Sequence, residues 1–164
     1  MDESGLQKMS LAVEFLLQQE SFGSTLTRLR SELAGSADTF VWSTLELPSL
    51  PFELPEEIKS GWIFHLRSDV PSGCHYHPNS VQCMVVVSGR GQANIGDQHR
   101  DIVPIGSPSS PVDDWLIIDR GVAHEFIPTG GDMTVVSFHT CAADELKEIE
   151  CGTGSTRLYE APDA

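Results

Sequence analysis

Between residues 61 and 139 the chain is a succession of short apolar or alternating segments, each ended by a turn. The segments read WIFHLR, GCHYH, VQCMVVV, GQANIG, DWLIID, HEFI and MTVVSFH, and no helical periodicity separates them. Short strands at such spacing are typical of antiparallel sandwiches and barrels. We therefore predict an all-β fold whose core domain spans residues 60–140.

The first 59 residues have a different pattern. Apolar residues recur three and four positions apart between residues 6 and 34, which predicts amphipathic helices. We expect a break near residues 21–24, where SFGS supplies a glycine and a capping serine, and an end at Gly35. Whether these helices pack on their own barrel or on a second copy of the chain is left open. Residues 1–59 are thus a helical extension with a connector.

That connector is LELPSLPFELP at residues 45–55, in which three prolines exclude both a helix interior and a central strand. Its leucines and Phe52 predict an extended segment that lies on the protein surface. At the other end of the chain, residues 141–164 are interpreted as a short C-terminal helix and a tail. Leu146 and Ile149 have helical spacing there, and Gly152 follows as a stop signal.

The charge and the cysteines restrict the class of protein. The 24 acidic and 10 basic residues give a net charge of −14, which opposes binding to nucleic acid or to an anionic membrane. No apolar run approaches the roughly 18 residues of a membrane span. The four cysteines contain no C-x-x-C pair, so we expect free thiols in a cytoplasmic protein.

Two histidines stand two residues apart in SGCHYHPNSVQCMVVVSGRG, residues 72–91. On a strand, His75 and His77 point to the same face with Cβ atoms roughly 7 Å apart. That separation suits two ligands of one metal ion at bonds of about 2.1 Å. If the strand turns at PNSV and returns as a hairpin with His77 opposite Gln82, the Gln82 amide joins them as a third candidate ligand. By the same alternation Cys74 and Cys83 face away.

This stretch and DDWLIIDRGVAHEFIP at residues 113–128 resemble the two sequence motifs of the cupin superfamily. The first motif is a glycine, five residues, His-x-His, three or four residues, a glutamate, six residues and a glycine. Here Gln82 stands at the glutamate, Gly89 closes the motif, and Asp69 stands at the opening glycine. The resemblance implies a single cupin double-stranded β-helix, a jelly-roll barrel, and makes His124 the last metal ligand.

The resemblance implies one divalent transition metal ion, which could be Zn, Fe, Mn, Ni or Cu, because imidazole-rich sites bind several of these. The proposed ligands are His75, His77, Gln82 and His124. Three imidazoles and an amide would leave the charge of the ion uncompensated, which favours an anionic substrate or hydroxide as a further ligand. Gln82 either binds the ion directly or holds a bound water.

An apolar pocket is expected around the ion. Its predicted lining is Trp62, Phe64, Met84, Val86 and Phe126, although each of them could equally be ordinary barrel core. His65 and His139 either line the cavity or face outward, and His99 lies in a polar turn exposed to solvent.

Two functions are compatible with these residues. The first is a metal-dependent enzyme on a small organic substrate, of the dioxygenase or the isomerase and lyase type, for which no catalytic base is identified. The second is a non-catalytic cupin that binds or senses a small molecule. In both cases the resemblance implies a homodimer with a small-molecule ligand, and no nucleic acid or membrane partner is expected.

Overall fold

The computed structural model describes residues 1–107 and 114–159. Two helices come first, α1 at Glu3–Leu17 and α2 at Glu20–Gly35, so the predicted end at Gly35 is confirmed. Asp2 caps α1 by accepting a 2.8 Å hydrogen bond from the backbone N–H of Gly5. Asp113, the first residue of the second motif-like stretch, and residues 160–164 lie outside the described residues.

Two antiparallel sheets follow, which confirms the all-β prediction. The strands in the described part of the chain are β1 Phe40–Thr44, β2 Ser60–Leu66, β3 His75–Tyr76, β4 Gln82–Ser88, β5 Gly91–Ile95, β6 Gln98–Ile102, β7 Trp115–Ile118, β8 His124–Pro128, β9 Met133–His139, β10 Lys147–Glu150 and β11 Thr156–Leu158. The first sheet has the order β1-β2-β9-β4-β7, and the second has the order β11-β10-β3-β8-β5-β6.

Alternation along the strands sorts side chains between two apolar cores. In β4, Met84 points between the two sheets, whereas Val85 points to the outer face of the first sheet. In β2, Trp62 faces inward and Ile63 faces outward in the same way. Because complete burial of one such side chain stabilises the fold by about 1.5–3 kcal/mol, both faces of this sheet need a cover.

The N-terminal helices are the cover of the outer face. Met9 and Val13 of α1 and Leu29 of α2 are fully buried in the same cluster as Val85. The indole nitrogen of Trp115 in β7 also donates a 2.9 Å hydrogen bond to a serine hydroxyl of α1. The question left open by the sequence is therefore answered, because the helices pack on their own barrel.

The break between the helices lies at residues 18–19 instead of the predicted 21–24. Helix α2 begins at Glu20, and SFGS lies inside it. Phe22 is 6% exposed and belongs to the outer cluster. Its burial outweighs the roughly 1 kcal/mol that Gly23 costs within a helix.

The connector lies on the surface as predicted. It contains a single 3-10 turn, Leu47–Ser49, and its four leucines are partly buried against the outer cluster. The ring of Phe52 contacts Phe15 of α1 edge to face, with centroids 5.5 Å apart.

The predicted short C-terminal helix over residues 141–152 is wrong. One 3-10 turn, Ala143–Glu145, is followed by β10, which pairs with β3 on one side and with β11 on the other. Leu146 and Glu148 are both buried, so buried side chains recur every two residues, as in a strand, and not at the spacing of a helix. Strand pairing satisfies the backbone groups of β3, which no local helix could do. Since β1, β10 and β11 all belong to the sheets, the barrel extends beyond the predicted 60–140 at both ends.

A disulfide bond joins the residue before β3 to the residue after β10. Cys74 and Cys151 are 77 residues apart in sequence, and their Cα atoms lie 5.4 Å apart. The expectation of four free thiols is therefore wrong, and only Cys83 and Cys141 are free, both of them buried. Because disulfides persist in oxidising compartments, the cysteines no longer support a cytoplasmic location.

Candidate metal centre

Three buried histidines meet at the inner face of the second sheet. His75 in β3 lies directly opposite His124 in β8, and His77 follows one residue after the end of β3. Their exposed fractions are 8%, 2% and 4% for His75, His124 and His77. One nitrogen from each ring lies within 4.8 Å of the others, a spacing that allows all three to bind one ion at bonds of about 2.1 Å.

Backbone carbonyls orient the three rings. The Nδ1 atoms of His75, His77 and His124 lie 2.8, 2.8 and 2.9 Å from the carbonyl oxygens of Gly73, Lys147 and Val122. A carbonyl only accepts hydrogen bonds, so each Nδ1 carries a proton and Nε2 is the ring nitrogen left to bind an ion. Protein metal sites use this arrangement to orient ligating imidazoles.

Gln82 reaches the cavity from the first sheet. The predicted hairpin is wrong, because β4 pairs with β9 and β7, and Gln82 lies opposite His139 and Ile118 instead of His77. Its side chain nevertheless lines the same cavity as His75 and His77, because inward positions of both sheets face one interior. The alternation of faces along each strand was predicted correctly, and the pairing of the strands was not.

A chain of hydrogen bonds determines which end of the Gln82 amide faces the cavity. The Ser80 hydroxyl donates to the Val81 carbonyl, so it accepts from Nδ1 of His139 at 3.2 Å. Nε2 of His139 then accepts from the Ser137 hydroxyl at 3.0 Å, and Ser137 accepts from Nε2 of Gln82 at 3.0 Å. The amide nitrogen is thereby engaged, which leaves the amide oxygen for the cavity.

Two buried atoms at this site have no hydrogen-bond partner among the described residues. They are Oε1 of Gln82 and Nε2 of His124. Leaving a buried acceptor unpaired costs about 1–3 kcal/mol, so such atoms mark the position of a missing partner. A cation would satisfy both, and the donor set of imidazole nitrogens and one amide oxygen suits a divalent transition metal.

Burial keeps His77, His124 and His139 neutral by lowering their pKa values. It lowers the pKa of His77 to about 4. It also holds the pKa values of His124 and His139 well below their ordinary range, with the neighbouring histidines as a second cause. Because the neutral imidazole is the ligating form, a metal ion would displace no proton from these rings at neutral pH.

The cavity between the sheets is small and mostly apolar. Its lining consists of Phe40, Phe64, Leu66, Ser72, His75, His77, Gln82, Met84, Phe126, Val135, Glu148 and Tyr159. Phe64, Met84 and Phe126 thus lie where the sequence placed them, whereas Trp62 and Val86 are core residues outside this lining. The space open to a water-sized sphere is about 30 Å³, enough for about two water molecules.

Two residues of the cavity wall, Glu148 and Tyr159 in the C-terminal segment, were not predicted from the sequence. Both are buried, and the Tyr159 hydroxyl donates a hydrogen bond to Oε2 of Glu148. Burial, with the Glu148 charge next, raises the pKa of Tyr159 well above its ordinary value. Glu148 could have been identified from its position two residues after Leu146, because on a strand both side chains would face the interior. The helical interpretation of the segment concealed it.

The motif turns persist despite the departures in sequence. Asp69, at the position of the opening glycine, adopts the left-handed conformation with φ 58°. Its carboxylate accepts a 2.6 Å hydrogen bond from the Ser68 hydroxyl, the kind of local bond that lets aspartate occupy this region. Gly89 has φ 78°, and a Cβ there would lie 2.4 Å from a backbone carbonyl oxygen, so only glycine fits.

Of the other three histidines, His139 lies beside the three-histidine cluster, whereas His65 and His99 lie apart from it. His139 is fully buried, and its ring centroid is 5.1 Å from that of His77. His65 points to the outer side of the first sheet, where its Nδ1 bonds the Thr134 hydroxyl at 2.9 Å. His99 is exposed as predicted, although it lies in strand β6 and not in a turn.

These two sheets, with three buried histidines on the inner face, define an antiparallel double-stranded β-helix with a site that could hold a metal ion. No protein-family model and no curated protein matches the sequence. Solved structures do match. Procruciferin, an 11S globulin from Brassica napus, has a TM-score of 0.52 at 14% identity over 70% of this chain and 28% of its own.

An oxalate oxidase in complex with the substrate analogue glycolate has a TM-score of 0.49 at 14% identity, covering 76% of this chain and 57% of its own. A cupin-2 domain protein from Rhodospirillum rubrum has a TM-score of 0.47 at 13% identity, covering 74% and 66%. Identities this low bear on the fold alone. The described strands form the double-stranded β-helix that the two motif-like stretches predicted. None of the helices in the described ranges is long and apolar enough to cross a membrane.

Proposed function

We propose that the protein is a metal-dependent enzyme that acts on a small organic molecule at one divalent transition metal ion. His75, His77 and His124 bind the ion, and Gln82 provides an amide oxygen. The observation that carries this proposal is the convergence of one ring nitrogen from each histidine within 4.8 Å, with each ring oriented by a backbone carbonyl. The reaction is of the dioxygenase or the isomerase and lyase type.

When bound, the ion supplies Lewis-acid polarisation of an oxygen ligand or, in the case of iron, redox chemistry with O2. The protein provides the surroundings of that chemistry. Phe64, Met84 and Phe126 form an apolar wall that excludes bulk water. The Gln82 oxygen, oriented through Ser137, accepts a hydrogen bond from a ligand or binds the ion itself.

The metal part of the proposal is tested by elemental analysis of protein purified without a histidine tag. We expect close to one equivalent of a transition metal in the wild type and none in a His75→Ala, His77→Ala double variant. His99→Ala is the matched control, because His99 is exposed on β6 and should leave the metal content unchanged. A metal-free wild type that also fails to take up added Fe²⁺, Zn²⁺ or Co²⁺ would contradict the proposal.

The catalytic part is tested with the iron-loaded protein. Oxygen uptake is measured against thiols, catechols and diketones, and carbonyl isomerisation is followed separately under anaerobic conditions. Turnover above that of the double histidine variant supports an enzyme. No turnover in either assay contradicts it.

A second candidate function is a non-catalytic cupin that binds or senses a small molecule. The cavity of about 30 Å³ limits the size of the bound molecule in either case. Thermal stabilisation by a compound that is recovered unchanged would support this function over catalysis.

The proposed partners are a small molecule and a second copy of the chain, and the cytoplasmic location predicted from the sequence holds only if Cys74 and Cys151 are reduced in cells. Light scattering tests the homodimer. The redox state of Cys74 and Cys151 in cells tests the location, because a reducing cytosol would keep both as thiols.

A further inference from the structure

A buried carboxylate lies on the wall of the cavity, and the three-histidine site does not account for it. Glu148 is 7% exposed, and its Oε2 lies 3.7 Å from Nε2 of His75. Among the described residues that line the cavity it is the single acidic side chain. It is delivered by β10, whose Lys147 carbonyl also orients His77.

The carboxylate is also held in place by two residues of the C-terminal segment. Arg157 Nη1 lies 3.2 Å from Oε1, and the Tyr159 hydroxyl donates to Oε2. An ionised carboxylate out of water costs several kcal/mol, which a half-exposed arginine offsets only in part. A cavity for a neutral ligand would need no buried carboxylate, so the burial of Glu148 beside the imidazoles points to a bound cation.

The carboxylate of Glu148 provides the negative charge that the amide of Gln82 lacks. Three neutral imidazoles and the Gln82 amide leave a divalent ion without compensation from the protein. A unit negative charge a few ångströms away in a buried site changes both the affinity for the cation and the affinity for any anion that joins it.

We propose that Glu148 is the anionic member of this metal centre. Its carboxylate stabilises the bound cation and disfavours anionic ligands, so the site selects neutral molecules that donate a hydrogen bond, such as water, alcohols and enols. This inference rests on the metal part of the proposed function. It reverses the preference for anions that the sequence alone suggests.

The test uses Co²⁺ and azide as probes, because visible absorption of the Co²⁺ protein reports both affinities. In Glu148→Gln we expect Co²⁺ affinity to fall at least tenfold and azide affinity to rise at least about fivefold. Glu14→Gln, exposed on helix α1 at the outer face of the first sheet, is the control and should change neither. A Glu148→Gln variant that melts at a lower temperature but binds Co²⁺ and azide as the wild type does would overturn the inference.

A second variant keeps the test decisive if Glu148→Gln does not fold. Arg157→Gln removes a half-exposed cation that now offsets the carboxylate. It should therefore shift both affinities in the opposite direction, towards tighter Co²⁺ and weaker azide binding. Unchanged affinities in this variant overturn the inference and leave the proposed function intact. A wild type that binds no Co²⁺ overturns both.

Discussion

Replacing Cys74 and Cys151 by serine is expected to lower the free energy of unfolding by about 2–4.5 kcal/mol. The two cysteines are 77 residues apart, and the disulfide removes loop-closure entropy from the unfolded chain. With a loop of that length the chain-entropy model gives about 15 cal/mol/K, or about 4.5 kcal/mol at 25 °C. The lower bound of about 2 kcal/mol allows for structure that remains in the unfolded state.

Urea unfolding followed by circular dichroism measures this loss. With an m-value of about 2 kcal/mol/M, the midpoint should fall by about 1–2 M. Dithiothreitol provides the control, because it should lower the midpoint of the wild type to that of the double variant and leave the variant unchanged. A thiol titration of the denatured, unreduced wild type should find two thiols, those of Cys83 and Cys141.

A loss of less than about 1 kcal/mol in the double variant, with two titratable thiols in the wild type, would contradict this expected destabilisation. Four thiols in the wild type would instead show that the disulfide does not form. The disulfide also lies next to the site, since Cys74 precedes His75 and the backbone N–H of Cys151 donates a 2.9 Å hydrogen bond to the Cys74 carbonyl. Metal uptake by the double variant should therefore be measured in parallel.

Three further perturbations test other parts of the structure. Ser137→Ala removes the partner of both Gln82 and His139, and a competition titration with a chromophoric chelator should show metal affinity reduced about tenfold or more; wild-type affinity would refute the hydrogen-bonded chain. In metal-free protein, His77 alone should contribute a loss of about 3 kcal/mol of stability as the pH falls from 6.5 towards 4, because its pKa is 6.5 when unfolded and about 4 when folded, and His124 and His139 act in the same direction. Urea unfolding that is independent of pH from 7 to 4 contradicts this. Gly89→Ala should lower stability by more than about 1 kcal/mol, since φ is 78° and the new methyl group would meet a carbonyl oxygen; an unchanged melting temperature would contradict the assigned turn.

Features that depend on neighbouring residues along the chain were predictable. The alternation of a strand places His75 and His77 on one face, and the same rule places Met84 inward and Cys83 outward wherever the strand pairs. The left-handed turn survives at Asp69 because aspartate tolerates that conformation. Periodicity of three and four residues likewise predicted both helices, with an error of a few residues at their junction.

Features that depend on contacts between distant segments were missed. A hairpin between β3 and β4 was predicted because the two strands are adjacent in sequence. They belong to different sheets, however, and the partners of β3 are β8 and β10. The C-terminal segment has a spacing that fits a helix in isolation. It forms a strand because its backbone pairs with that of β3 and because the disulfide joins Cys151 to Cys74.

By itself the sequence determined the all-β core, the inward face of each strand and the residue types at the three-histidine site, because side-chain direction repeats every two residues in any β-structure. Only the tertiary structure decided what surrounds that site. Gln82 faces the histidines from the opposite sheet, and Glu148 reaches His75 from a strand that follows it by more than seventy residues in the sequence. Charge compensation at a buried site depends on distances of a few ångströms, and those are set by how the two sheets close on each other.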